Sequence, residues 1–267
     1  MTLRTMLART PLKRVYVAVR RIGYAGAARH LQLPWRYLPY ALTGTQGPRP
    51  YRLRSGHTLL LGGRDVEGLT EIFERRTYEP VLPLPPRPRI LDLGANVGLF
   101  TAWALQEWPQ ARVTAFEPDP ENMRVLRRFV ATNGLEHQVK LVEAAVGSQD
   151  GTVNFKAGLG SGSALSDDGA LTVPKQDAQP LMAEADLVKI DIEGGEWELL
   201  RDPRLHNVRA QIVLEYHRYL CPGRGDPLRP DPRPRHLAHE TLREAGFSIR
   251  DVEQRWWGHG TLVGWRS

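Results

Sequence analysis

The first 64 residues of this 267-residue chain contain no aspartate or glutamate, although they carry twelve arginine or lysine residues. The remaining 203 residues hold 24 basic and all 30 acidic residues, so their net charge is −6. The overall charge of +6 therefore belongs to a basic N-terminal segment. Such a segment is compatible with contact to a membrane surface or to a second subunit of a homo-oligomer, or with a solvated arginine-rich extension.

Cysteine and long apolar runs are also scarce. Cys221 is the single cysteine, which excludes an intramolecular disulfide and fits a reducing compartment. No apolar run approaches the roughly 20 residues that span a bilayer. Arginine interrupts the N-terminal apolar residues, which argues against a secretory signal. We therefore expect a cytoplasmic protein.

The chain is predicted to have two parts, a basic extension over residues 1–64 and a larger domain over residues 65–267. Within the extension, Leu12–Ile22 has the apolar spacing of an amphipathic helix, and residues 51–62 are typical of a short hairpin around a Ser55-Gly56 turn. Glu67–Arg76 is expected to form a short helix before a proline-rich linker.

From Arg89 onward, predicted strands alternate with predicted helices. The strands are Arg89–Leu93, Arg112–Glu117, Val139–Ala145, Leu187–Asp191 and Gln211–Tyr216, and the helices are Gly98–Glu107, Pro120–Asn133, Glu196–Leu200 and His236–Ala245. This alternation predicts a doubly wound α/β fold with a mostly parallel sheet. The last two segments, Phe247–Val252 and Thr261–Trp265, indicate an antiparallel hairpin at the sheet edge.

The first strand of this domain runs into a glycine turn and then directly into a helix. The turn comprises Gly94, Ala95, Asn96 and Gly98, and Asp92 precedes it. A dinucleotide site would show G-x-G-x-x-G, because a pyrophosphate needs that turn and the helix dipole. Here the spacing is G-x-N-x-G, and the Asp92 carboxylate would repel a diphosphate but suits the ammonium group of a methionine moiety. The turn therefore favours S-adenosylmethionine over NAD.

The ends of the second and third strands support a nucleoside site. Glu117-Pro118 ends the second strand 25 residues after Asp92, where a carboxylate accepts hydrogen bonds from both ribose hydroxyls. Ala144 and Ala145 end the third strand, and their small side chains leave room for an adenine ring. We expect these residues, together with Asp191 at the end of the fourth strand, to contact the cofactor.

The fourth strand ends in two acids, Asp191 and Glu193, followed by Gly194-Gly195. Acids two apart on an extended backbone point in similar directions, so they could orient a hydroxyl, act as a general base or hold a divalent metal. No further ligand stands at a diagnostic spacing, so no metal is predicted. His217, after the fifth strand, is a second candidate base, although a structural role is the alternative for His217 and helix capping for Glu193.

Five motifs in this order resemble the FkbM-type methyltransferase family. They are DLGANVGLF (92–100), AFEPDPEN (115–122), AAVGSQDG (144–151), KIDIEGGE (189–196) and LEYH (214–217). The resemblance implies a class I methyltransferase fold, Rossmann-like, with a seven-stranded sheet and an antiparallel last strand. It also implies S-adenosylmethionine as the cofactor.

The same resemblance implies O-methylation of hydroxyls on sugars, glycans or polyketide-like natural products, so the partner is a small-molecule or glycan acceptor. It implies that the glycine turn, Glu117 and the third-strand residues hold the cofactor. It places the acids near Asp191 against the acceptor and Tyr78 near the methionine end.

The sequence also allows three other functions. A nucleic-acid methyltransferase could use the basic segment as its phosphate contact, but Asp191-Ile192-Glu193-Gly194 offers no aromatic stacking platform, and its carboxylates would repel phosphates. A non-catalytic binding module would have a broken glycine turn or lack Glu117, and both are intact. An NAD-dependent oxidoreductase would be distinguished by its cofactor affinity.

Overall fold

The computed structural model describes residues 49–53, 55–62, 65–156, 164–165, 171–217, 234–255 and 259–266. The segments outside these ranges include the predicted helix Leu12–Ile22 and the glycine-rich loop Gly158–Ser163. They also include residues 222–233 of the proline- and arginine-rich stretch 222–235. The chain divides into two compact units, Met1–Arg76 and Thr77–Ser267.

The first unit contains the predicted hairpin. Strands β1 (Arg49–Arg52) and β2 (Thr58–Leu61) pair antiparallel, which confirms the prediction for residues 51–62. Gly56 has φ = 102°, a left-handed conformation that glycine adopts at little cost, so the chain can reverse there. Helix α1 (Val66–Leu69) follows and continues as a π-helical turn, Thr70–Glu74, where a single short helix was expected.

The second unit is built on a seven-stranded sheet. Its strands are β3 (Arg89–Leu93), β4 (Arg112–Phe116), β5 (Val139–Val142), β10 (Leu187–Ile190), β11 (Gln211–Tyr216), β12 (Ser248–Arg255) and β13 (His259–Trp265). Their order across the sheet is β12-β13-β11-β10-β3-β4-β5. Strands β3, β4, β5, β10 and β11 are parallel, whereas β13 runs antiparallel to both of its neighbours. The predicted doubly wound sheet with an antiparallel last strand is confirmed.

Helices pack on this sheet and bury its central strands. They are α2 (Leu99–Glu107), α3 (Pro120–Asn133), α4 (Gln179–Glu184), α5 (Glu196–Leu200) and α6 (Pro234–Glu244). Every residue of β10 and β11 is buried, as expected for parallel strands covered on both faces. Among the described helices, none is long and apolar enough to cross a bilayer.

A second sheet of four strands was not predicted. Its order is β6-β9-β7-β8, with β6 (Ala145–Gly147), β7 (Gly151–Lys156), β8 (Ala164–Leu165) and β9 (Leu171–Asp177). The prediction of one strand over Val139–Ala145 is therefore wrong, because β5 ends at Val142 and Ala145 begins β6. The Ala144 N–H donates to the Val142 carbonyl at 3.1 Å, and this tight turn carries the chain from one sheet to the other.

Candidate active site

The carboxyl ends of the central strands surround a pocket whose empty space, with the part open to solvent included, is about 650 Å³. Eight of the predicted site residues line it: Gly94, Asn96, Glu117, Pro118, Ala144, Ala145, Asp191 and Glu193. It is also lined by residues that sequence reasoning missed: Phe116, Asn122, Val146, Phe155, Ile192 and Gly195. Parallel α/β sheets bind ligands at this edge, so the pocket is the candidate site.

The glycine turn has three left-handed residues within five positions. Gly94, Asn96 and Gly98 have φ values of 80°, 51° and 91°. Two successive N–H groups, of Gly94 and Ala95, donate to the Phe116 carbonyl at 3.1 and 2.8 Å. The turn is therefore anchored to the end of β4, and its shape needs residues that tolerate positive φ.

Glu117 holds the same turn from the pocket side. Its Oε2 accepts a hydrogen bond from the Asn96 N–H and its Oε1 one from the Asp119 N–H, both at 2.8 Å. Burial raises the pKa of Glu117 to about 7, although these two backbone hydrogen bonds oppose the shift. The carboxylate is thus fixed in place and borders the pocket, where hydroxyl donors of a ligand would favour its ionised form.

Small and apolar side chains form another part of the wall. Ala144 and Ala145 lie there as predicted, and Phe155 comes from β7 of the second sheet. Phe155 was missed because no local pattern indicates that β7 borders this pocket. Its ring could pack against a flat heterocycle.

Asp92 lies in the sheet below the turn and does not line the pocket. It is fully buried, and its Oδ2 accepts a hydrogen bond from the Thr101 hydroxyl at 2.7 Å. Its Oδ1 lies 3.3 Å from Lys189 Nζ. Since protein groups engage both oxygens, a direct contact between Asp92 and a ligand ammonium stays a prediction.

At the end of β10, the two predicted acids meet His217. His217 Nε2 lies 3.5 Å from Glu193 Oε2 and 3.9 Å from Asp191 Oδ1. Glu193 has φ = 52°, which is uncommon for a residue with a side chain. Ligand atoms of all three residues lie within 4.8 Å of one another, so they are compatible with a cation as well as with proton transfer.

Glu196 contacts the Nδ1 side of the His217 imidazole. This fully buried acid has its Oε1 3.1 Å from His217 Nδ1, and the same oxygen accepts a hydrogen bond from the His217 N–H at 2.7 Å. Its other oxygen accepts the Gly194 N–H at 2.7 Å. Glu196 therefore joins the loop after β10 to the end of β11 and fixes the ring with Nε2 toward the two acids.

These contacts alter the protonation of the cluster. Burial alone would lower the pKa of His217, but hydrogen bonding and attraction to Glu196, with further attraction to Glu193 and Asp191, raise it to about 10. Burial raises the pKa of Glu193 to about 8, with His217 opposing the shift and Asp191 adding to it. At neutral pH the imidazole therefore carries two ring protons.

Tyr78 reaches the other side of Asp191. Its hydroxyl donates to Glu215 Oε2 at 2.7 Å and lies 3.1 Å from Asp191 Oδ2. The Tyr78 ring packs edge-on against Phe100, with ring centroids 5.8 Å apart. Glu215 belongs to the quoted LEYH motif but was not predicted as a site residue, because an acid within a buried strand is indistinguishable in sequence from one facing solvent.

The chain is similar to several known methyltransferases. The chain is 40% identical over 83 residues to methyltransferase sdnD of Sordaria araneosa, covering 31% of this chain and 32% of sdnD. It is 35% identical over 92 residues to the 2-O-methyltransferase NoeI of Sinorhizobium fredii, covering 34% of this chain and 37% of NoeI. The solved structure of methyltransferase FkbM from Methylobacillus flagellatus KT aligns with 91% of this chain and 58% of that chain, at 16% identity and a TM-score of 0.49.

These matches span only about a third of the length of sdnD and of NoeI. The profile of the methyltransferase FkbM domain covers more of this chain, since it matches residues 92–249. That range contains the glycine turn, Glu117, the acids after β10 and His217. The chain therefore belongs to the FkbM methyltransferase family.

Proposed function

We propose that the chain is an S-adenosylmethionine-dependent O-methyltransferase that acts on a hydroxyl of a sugar, a glycan or a polyketide-like natural product. The observation that carries this proposal is that Glu117, Asp191 and Glu193 border one pocket. A carboxylate suited to ribose hydroxyls thus lies beside two acids suited to an acceptor hydroxyl.

The residues present fit the cofactor. A Cβ on Gly94 would lie 1.9 Å from the Asp191 carbonyl oxygen, so the turn leaves backbone, not side chain, at the floor of the pocket. Glu117 would take the ribose hydroxyls, and Ala144 and Ala145 leave space beside Phe155 for the adenine. When bound, S-adenosylmethionine supplies a methyl group activated by its sulfonium charge.

His217 and Asp191 have different roles in the proton transfer. At neutral pH the raised pKa of His217 keeps its imidazole protonated, so it cannot accept a proton from a hydroxyl. We therefore assign proton acceptance to Asp191, whose Oδ1 lies 3.9 Å from His217 Nε2. The positive imidazole opposes the rise that burial causes in the pKa of Glu193, and the pocket aligns the acceptor.

The charge of the cluster also bears on the acceptor. Asp191 and Glu215 would repel a phosphate or carboxylate, whereas hydroxyl groups can donate to them. NoeI, one of the relatives, is a 2-O-methyltransferase. Together these points favour a neutral polyhydroxylated acceptor and argue against nucleic acid as a partner. A cytoplasmic location stays a prediction.

The test begins with calorimetric titration of the full chain with S-adenosylmethionine, S-adenosylhomocysteine and NAD, with and without magnesium. We expect micromolar binding of the two sulfur compounds and none of NAD. Transfer of radiolabelled methyl groups to a panel of sugars, glycans and polyketides then identifies the acceptor, with acceptors already O-methylated as matched controls.

Each outcome has a distinct meaning. Binding of NAD alone would overturn the cofactor assignment, and binding of neither compound class would favour a non-catalytic module. Transfer to amines but not to alcohols would contradict O-methylation. Binding or turnover that requires magnesium would assign Asp191, Glu193 and His217 to a cation.

A further inference from the structure

Lys189 is an unusual residue for its position in the sheet. It lies within β10, a central strand buried on both faces, and only 3% of its surface is exposed. In the parallel register it stands directly beside Asp92 of β3. Apolar residues ordinarily fill such positions, because burying an ammonium group costs several kcal/mol unless acids compensate for the lost hydration.

The Lys189 ammonium group contacts both halves of the site. Its Nζ donates to the Gly94 carbonyl of the glycine turn at 2.6 Å and to the Leu93 carbonyl at 3.3 Å. The same Nζ lies 3.3 Å from Asp92 Oδ1 and 3.8 Å from Asp191 Oδ2. One side chain thus joins the turn that would hold the cofactor to the acid that would face the acceptor.

The surrounding charges keep this group ionised. Burial alone would lower the pKa of Lys189, but Asp92 and Asp191, with a smaller contribution from Glu215, raise it above its usual value. The ring of Tyr78 adds a further contact, with its centroid 5.6 Å from Nζ. A charged donor therefore persists under the turn across the ordinary pH range.

The contacts to Asp191 leave its two oxygens unequal. Oδ2 faces Lys189 and the Tyr78 hydroxyl, at 3.8 and 3.1 Å, whereas Oδ1 faces His217 Nε2 at 3.9 Å. The carboxylate is thereby held with one oxygen toward the cluster beside the pocket. Among these contacts, the ammonium group is the one that reaches both the Gly94 carbonyl and the Asp191 carboxylate, because Tyr78 and His217 contact the carboxylate alone.

We propose that Lys189 is a positioning residue, which fixes the Gly94 carbonyl and the Asp191 carboxylate in one arrangement for methyl transfer. This proposal depends on the proposed function, which assigns the glycine turn to the cofactor and Asp191 to the acceptor. If Lys189 only neutralised the charge of Asp92, its removal would not affect cofactor binding in a variant whose residue 92 is already neutral. The two roles therefore predict different affinities, which can be measured.

The experiment compares Lys189→Met/Asp92→Asn with Asp92→Asn alone, in the full chain, using S-adenosylhomocysteine as the probe. The double variant removes both members of the Lys189–Asp92 pair, and the melting temperatures of the two variants are compared so that a loss of fold is separated from a loss of binding. We expect the dissociation constant of the double variant, measured by calorimetry, to be about tenfold higher, because the charged donor to Gly94 is lost. Equal dissociation constants would overturn the proposal.

A second measurement needs no variant that destabilises the sheet. The chain has five lysines, so the ammonium groups of ¹⁵N-labelled protein give few signals, and the buried Lys189 should be protected from exchange. We expect its signal to shift when S-adenosylhomocysteine binds, while that of Lys175, paired with Glu198, stays in place. A Lys189 signal that is absent, or unchanged at saturation, would contradict the proposal.

The two proposals fail in different ways. If the wild-type chain does not bind S-adenosylhomocysteine, the proposed function fails. If the wild type and Asp92→Asn both bind it and the double variant binds it equally well, only the role of Lys189 fails.

Discussion

A Cβ placed on Gly94 would lie 1.9 Å from the carbonyl oxygen of Asp191. The glycine turn and the end of β10 therefore meet backbone to backbone, with no room for a side chain between them. This contact brings Asp191 against the turn although 96 residues separate them in the chain. It also makes the glycine at position 94 a requirement of the site and not only of the turn.

Gly94→Ala should consequently destabilise the protein more than an ordinary left-handed glycine would. Gly134 is the matched control, because it has φ = 64° and nothing lies within 4 Å of its Cβ position. Both alanine variants incur the left-handed cost of about 1–2 kcal/mol, and Gly94→Ala adds a clash with backbone worth about 1–3 kcal/mol. Urea unfolding measures the difference, and equal losses in the two variants would contradict the close contact.

Glu117→Ala should weaken the binding of S-adenosylmethionine by about 1–3 kcal/mol, the usual cost of losing hydrogen bonds to a charged group. Calorimetric titration measures this change. Glu121→Ala is the control, since Glu121 lies on the same helix-start segment but pairs with Arg124 on the surface. Unchanged affinity in Glu117→Ala would remove this residue from the ribose role.

The raised pKa of Glu117 also predicts that cofactor binding depends on pH. The pKa of Glu117 is raised to about 7 by burial, and ribose hydroxyls would donate to its ionised form. Binding must therefore release a proton below that pH, so the dissociation constant for S-adenosylhomocysteine should rise up to tenfold per unit as the pH falls from 7. Titrations between pH 5.5 and 8.5 test this, with Glu117→Ala expected to lose the dependence; a flat profile in the wild type would refute it.

Most of the main sheet could be predicted because its central strands are short apolar runs between turn signals. Strands β3 and β11 have their predicted bounds. Helix α3 also has its predicted bounds, because Asp119 and Pro120 mark its start. The second sheet was missed, since β7 and β9 pair across a long connection and each buries few apolar residues. Local patterns carry little information about such pairing.

The candidate site was predictable to a similar extent. Residues that stand at strand ends, such as Glu117 and Asp191, could be found from position alone. Lys189 and Glu215 could not, because their roles depend on contacts with residues 97 and 137 positions away, Asp92 and Tyr78. Burial and charge pairing between distant strands become visible only in the folded chain.

The raised pKa of His217 predicts how stability varies with pH. A histidine whose folded-state pKa is about 10 stabilises the fold fully below its unfolded value near 6.5, and this contribution is lost as the pH rises toward 10. The melting temperature of the wild type should therefore fall across this range, and that of His217→Gln should fall less. Parallel curves for the two proteins would show that the imidazole is not held protonated by its acids.

Asp191→Asn should separate binding from chemistry. Asparagine keeps the shape of the side chain and can still accept the Tyr78 hydroxyl, so the affinity for S-adenosylhomocysteine should change less than about threefold. Turnover of the acceptor identified in the transfer screen should fall by about 10²–10⁴, because a neutral amide cannot take the hydroxyl proton. Asp186→Asn is the control, since Asp186 precedes the other end of β10 and accepts the Arg89 N–H away from the pocket. Full activity in Asp191→Asn would exclude Asp191 as the proton acceptor, and an equal loss in both variants would point to damage to the strand.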